Sequence, residues 1–264
     1  MRRLTPAFAP LILAALLLAG CSSSSTSTES PLATEPADAS ATGTDPAAEP
    51  DASADPVAAA VPECDGILFE SGAVIPGEQL GGCMAAAMLA VGSGSHRVDS
   101  SDGTSSTVQF EWTPQFSMSA DGDLPLVVRG DDGWALLPES GWVRADEGST
   151  DPQVMLATAA VKLTRVFGDP RTLGAAMAQT DWRVVDETSV PATDAVADVA
   201  WQLEAAGAFA MLGIAITDYQ LWLGNDYLGA YAVGTAAVGD ISATTSNTFL
   251  QWGEPVEIPA PTQP

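Results

Sequence analysis

Positive charge is what this chain has least of. Nine lysines and arginines stand against 34 aspartates and glutamates, the formal net charge is −25, and Lys162 is the sole lysine. Such a surface repels phosphate backbones and anionic headgroups at long range, which excludes nucleic acid as a partner. Histidine is almost missing as well, His96 being the only one. One histidine and three cysteines do not supply a zinc centre, and no resident cofactor is implied. No G-x-S-x-G elbow presents a serine on a strand-to-helix turn, and no glycine-rich phosphate loop precedes a helix. A Ser-His-Asp site would have to borrow Ser93 or Ser95, and we read His96 as a surface or strand-end residue. Asp121, Asp123, Asp131 and Asp132 do not fall at calcium-loop spacing and read as hairpin turns. Arg129-Gly130-Asp131 reads the same way. The sequence therefore assigns no catalytic residue and no metal ligand, and it points away from an enzyme.

Long hydrophobic runs are also lacking. The apolar stretch Ala7 to Ala19 falls short of the ~20 residues a spanning helix needs. It follows Arg2 and Arg3 and closes on Leu18-Ala19-Gly20-Cys21. A plain secretory signal ends in an A-x-A-like site and requires no cysteine. Small residues leading straight to a cysteine are the layout of a bacterial lipoprotein signal peptide. We expect residues 1–20 to be removed and Cys21 to carry palmitate-type acyl chains. At about 0.8 kcal/mol per buried CH₂, two or three chains hold a protein to a bilayer almost permanently. The expected location is the extracytoplasmic face of the cell membrane, with the bilayer as a partner through Cys21. Ala205 to Ile216 is apolar but short, and Gly207 and Gly213 interrupt it.

Between residues 21 and 61 there is no aromatic residue, only Ser, Thr, Ala, Pro and acidic residues for the most part. Such a segment cannot bury enough apolar surface to offset the entropy of ordering. It reads as a disordered, self-repelling tether, with a folded domain over 62–264. Cys64 and Cys83 remain once Cys21 takes the lipid. In a compartment that permits disulfides we expect them to pair, and closing a loop of about twenty residues contributes ~3 kcal/mol. Two buried thiols are the alternative.

Leu80, Cys83, Met84, Met88 and Leu89 recur at helical spacing within Glu78 to Val91. Val108, Phe110 and Trp112 alternate with Gln109 and Glu111, and Phe116, Met118 and Ala120 repeat the pattern beyond Pro114. Leu124 to Arg129, Trp134 to Leu137 and Trp142 to Arg144 continue an antiparallel meander. Asp151-Pro152 and Asp169-Pro170 each open a helix, with Asp as N-cap and Pro in the first turn. Met155, Leu156, Ala159, Leu163 and Val166 follow at helical spacing in the first; Leu173, Ala176 and Met177 face inward in the second. Strands return at Trp182 to Glu187, Ala195 to Leu203, Thr217 to Leu223, Tyr227 to Val233 and Thr245 to Gln251. Helix, meander, helices, meander implies an α+β fold: a curved antiparallel sheet with helices against one face.

The tail Phe249-Leu250-Gln251-Trp252-Gly253-Glu254-Pro255-Val256-Glu257-Ile258-Pro259-Ala260-Pro261 resembles the end of the actinobacterial LppX/LprAFG lipoproteins, a W-G-x-x-V-x-I/V-x-x-P stretch. Asp218 to Leu223 with Gly224-Asn225-Asp226-Tyr227 looks like their penultimate hairpin. Leu126 to Trp134 and Gly141 to Arg144 look like their early strand pair. The resemblance implies a LolA/LolB-like half-barrel whose concave face is closed by helices around a hydrophobic cavity. It also implies carriage of an acylated lipid or lipoglycan, with an envelope transport partner. Candidate ligand contacts are Phe110, Trp112, Phe116, Met118, Trp134, Leu156, Val166, Leu173, Met177, Trp201 and Trp222. Taken singly, each such residue is more often plain core, because pocket lining and core share one chemistry. The alternative is an interaction module with a filled interior.

Overall fold

The computed structural model describes residues 61–239 and 241–262. The signal peptide, Cys21 and nearly all of the tether lie outside the described residues. No helix among the described residues is long and apolar enough to cross a membrane.

The described residues hold three α-helices: α1 (Gly77–Val91), α2 (Pro152–Phe167) and α3 (Pro170–Met177). Their ends follow from local chemistry. The Asp151 carboxylate accepts from the backbone N–H of Gln153 at 2.8 Å, and that of Asp169 from Arg171 at 2.9 Å. Each satisfies donors that a helix start leaves orphaned. α1 stops at Gly92, which takes a left-handed φ of 83° while its N–H caps Met88, a conformation that favours glycine.

Thirteen strands form one antiparallel sheet. They are β1 (Val74–Ile75), β2 (Ser93–Ser100), β3 (Ser105–Glu111), β4 (Ser117–Ala120), β5 (Leu126–Arg129), β6 (Asp132–Leu137), β7 (Gly141–Arg144), β8 (Trp182–Ser189), β9 (Val199–Ala205), β10 (Phe209–Met211), β11 (Ile214–Leu223), β12 (Gly229–Val238) and β13 (Ile241–Trp252). The order across the sheet is β1-β8-β9-β11-β12-β13-β2-β3-β4-β5-β6-β7, with β10 pairing β11 beyond the end of β9. β1 and β7 are not paired to each other, so the sheet stays open. The fold is α+β, a large curved antiparallel sheet with three helices, as the element order implies.

The helices divide the inner face. Leu80, Cys83 and Met84 of α1 and Met177 of α3 pack with Trp182, Val184, Leu203 and Leu221 over one half. Ala157 and Ala160 of α2 pack with Leu126, Ala135 and Leu137 over the other. α1 and α3 touch backbone to backbone. A Cβ on Gly81 would meet the Gly174 carbonyl oxygen at 2.2 Å, and one on Gly174 would meet that of Gly81 at 2.5 Å. Alanine at a helical glycine ordinarily gains about 0.8–1.0 kcal/mol. Here the clash is with rigid backbone, and overpacking of this kind costs about 1–3 kcal/mol. Gly174→Ala should therefore lower stability in denaturant unfolding; a rise in midpoint would show that the helices can separate freely.

Two expectations are corrected. α2 is turned the other way: its buried residues are Ala157, Thr158, Ala160, Val161 and Thr164, while Met155 and Leu156 are 55% and 38% exposed and Val166 38%. The larger apolar residues suggested the wrong stripe. Small ones face the sheet because α2 lies close on it, and a Cβ on Gly133 would meet Val161 at 2.4 Å. Ala195 and Ala197 precede β9 rather than belong to it. They pack with Val190, Ala200, Trp222 and Ala230, where the 190–198 segment covers the outer face. The outer face is covered a second time by the tail, where Val256 and Ile258 pack on Val127, Trp134 and Trp142.

Candidate functional site

A cavity of about 300 Å³ lies between the sheet and the helices. Its roof is Met84 and Met88 of α1 together with Phe167, Pro170 and Leu173 around the α2–α3 joint. Its floor is the inward set of β11, β12, β13, β2, β3 and β4. The space exists because the inward residues of one floor strand are small: Ala232, Gly234 and Ala236 alternate along β12. Aromatic rings lie over glycines of the neighbouring strands. A Cβ would meet the Tyr219 ring at 2.5 Å if placed on Gly234, Phe249 at 2.6 Å on Gly229, and Phe110 at 2.8 Å on Gly94. This ring-over-glycine packing lets side chains lie flat against the sheet instead of standing up into the void.

One end of the cavity is aromatic. Phe110 stacks on Trp112 with ring centroids 4.4 Å apart, and Phe249 stacks on Trp252 at 5.0 Å. Both indole N–H groups are already engaged: Trp112 donates to the Gly168 carbonyl and Trp252 to that of Gly229, each at 2.8 Å. The two indoles therefore offer a guest only apolar surface. The single charged residue on the wall among the described residues is Asp169, whose carboxylate is taken up at the start of α3.

His96 sits in the wall between Phe110 and Phe249, at centroid distances of 5.7 and 5.4 Å. The expectation of a surface or strand-end position is overturned. His96 lies inside β2, opposite Val108 on β3 and Phe249 on β13. Its Nδ1 is buried and has no hydrogen-bond partner. Burial lowers its pKa from 6.5 to about 4, so at neutral pH the ring is uncharged. Burial likewise pushes the hydroxyl of Tyr219, also on the wall, up to about 12. Among the described residues no carboxylate orients the His96 ring. By strand alternation Ser93 and Ser95 turn to the opposite face, where Ser93 donates to the Glu254 carbonyl. The residues of a hydrolytic triad are not brought together.

The low pKa has a measurable consequence. Between pH 6.5 and about 4 the unfolded chain binds a proton that the folded chain refuses, so stability falls as pH drops through that window. Above it the ring is neutral in both states and contributes no slope. His96→Leu should flatten this part of the pH–stability curve relative to wild type. Parallel curves for the two proteins would contradict the burial.

Of the sequence-derived candidates, Phe110, Trp112, Met118 and Leu173 line the cavity. The other seven lie elsewhere. Phe116 packs beside Met118 without reaching the wall. Met177 and Trp182 form core beneath α1, where the Trp182 indole donates to the Met177 carbonyl at 3.1 Å. Trp201 stacks on Phe69 with centroids 5.9 Å apart. Trp134 and Trp222 are on the outer face, and Leu156 and Val166 are on the solvent side of α2. Residues missed by the sequence reading include His96, Phe249, Trp252 and the small residues of β12. The A-x-G-x-A alternation from Ala232 to Ala236 was the available signal.

No protein-family model matches this chain, and no curated protein matches it. Among solved structures the chain is similar to LprF from Mycobacterium bovis. The two are 14% identical, with a TM-score of 0.45, over 74% of this chain and 100% of that one.

Proposed function

We propose that this chain is a membrane-tethered extracytoplasmic lipoprotein that binds a lipid acyl chain in the cavity between sheet and helices. The cavity carries the reading: about 300 Å³ of unfilled space, walled mostly by aromatic, methionine and aliphatic side chains. That volume is at the small end of the ~300–1,000 Å³ typical of ligand clefts. A methylene is about the size of a water molecule's ~30 Å³ share of the liquid, so on the order of ten methylenes fit. Their burial is worth about 0.8 kcal/mol each, less the cost of ordering the chain. One tail of a lipid is thereby held while the rest stays at the mouth. Cys21 supplies the anchor, residues 21–61 the reach and residues 62–264 the binding domain. Handing the lipid to an envelope partner is the natural extension of such a site.

Full-length protein carrying Cys21→Ser, which cannot be acylated at that position, should retain copurified lipid in native mass spectrometry without detergent. A clean ligand-free mass after several gentle preparations would count against the reading. The interaction-module alternative draws on the exposed apolar residues Met155, Leu156 and Val166 of α2, but it requires a filled interior, and the cavity favours the lipid reading.

A further inference from the structure

The wall of the cavity is selective about charge. Among the described residues it contains no lysine or arginine, and its one charged residue is an aspartate. The nearest cation in sequence, Arg97, is turned to the opposite face of β2. There its Nε donates to Asp99 at 2.8 Å and its guanidinium is clasped by Asp194. The whole chain adds a strong negative field, with a net charge of −25. A guest carrying a carboxylate or phosphate inside this space would lose its hydration and find no countercharge to repay the loss. Anionic groups must stay outside.

The wall is not indifferent to polarity, however. The Nδ1 of His96 is buried and unpartnered. A buried polar atom left unpaired loses its hydration without compensation, and native interiors rarely tolerate one. An imidazole that is neutral at working pH offers one donor and one acceptor, which a hydroxyl matches. Asn247 lies diagonal to His96 across the β13–β2 pair, because Phe249 faces His96 and Asn247 faces Val98. Diagonal neighbours stand about 7–8 Å apart, close enough for one small polar group to lie between them. The aromatic end beyond His96 then receives hydrocarbon.

We propose that the cavity selects a single-chain lipid bearing an uncharged hydrogen-bonding group, a hydroxyl above all, seated on His96. This rests on the acyl-chain reading of the cavity and names the ligand class within it. Three twelve-carbon probes separate the terms: 1-dodecanol, dodecanoate and dodecane, each titrated at pH 8 into full-length Cys21→Ser protein freed of endogenous lipid. Tryptophan fluorescence reports occupancy, since Trp112 and Trp252 line the wall. Dodecanol should bind at least about tenfold more tightly than dodecanoate. His96→Leu should weaken dodecanol about tenfold and leave dodecane unchanged or tighter. Because His96 is the only histidine in the chain, its ring nitrogens can be followed by NMR without assignment. They should shift on adding dodecanol and not on adding dodecane, a readout that needs no variant to fold. Dodecanoate binding as tightly as the alcohol, or a His96 signal indifferent to the alcohol, overturns this proposal while dodecane binding leaves the cavity reading in place. If none of the three probes binds, the acyl-chain reading itself fails.

Discussion

Replacing Ala232 by phenylalanine is expected to abolish lipid binding and leave the fold intact. Ala232 is 2% exposed on the inner face of β12, in the cavity floor. A benzyl group there projects into existing space, so the usual overpacking cost of about 1–3 kcal/mol is largely avoided, and filling a void recovers dispersion contacts. The thermal midpoint should hold or rise slightly. Copurified lipid should disappear from native mass spectra, and probe affinity should fall on the order of a hundredfold, matching the loss of about 3 kcal/mol of tail burial. Tyr231→Phe, one residue earlier and on the outer face beside Trp222, is the control and should bind as wild type does. An Ala232→Phe protein that still carries lipid would place the ligand elsewhere.

Removing the disulfide should give the largest loss of stability. Cys64 and Cys83 are bonded across a separation of 19 residues. The bond ties the 3-10 turn Pro62–Cys64 to the middle of α1. Constraining the unfolded chain over a loop of that length is worth about 3 kcal/mol, and a domain of this size loses about 2–4 °C per kcal/mol. A Cys64→Ala/Cys83→Ala protein should therefore melt about 6–12 °C lower than wild type. Reductant should lower the wild-type midpoint by a similar amount and leave the variant unmoved. If reductant has no effect on the wild type, the bond is not contributing. Because α1 carries Met84 and Met88 over the cavity, releasing it from the turn at Cys64 should also weaken lipid retention.

Much of the architecture was legible in the chain. Asp151-Pro152 and Asp169-Pro170 announced two helix starts through capping chemistry that acts within three residues. Val108, Phe110 and Met118 were legible as inward residues because alternation is a local property of a strand. The site was less legible. Trp134 and Trp222 look as suitable for a pocket as Trp112, yet they face outward, because the tail and the 190–198 segment make both faces of the sheet apolar. Periodicity shows which residues share a face and is silent about which face meets the helices. For α2 the same ambiguity misled in phase, since close packing on Gly133 selected Ala157, Ala160 and Val161 over the larger Met155 and Leu156.

From the sequence by itself came the exclusions and the local devices. These are a surface too acidic for nucleic acid, too few ligands for a zinc centre, an expected acylation site at Cys21, two remaining cysteines placed to pair, and the caps and alternations that build helices and strands. Only the tertiary structure decided that His96 stands in a cavity wall, that Ala232, Gly234 and Ala236 leave space above them, and that aromatic rings lie flat over glycines of neighbouring strands. The reason is physical: an unfilled volume belongs to the gap between elements, and no residue carries the record of what fails to touch it.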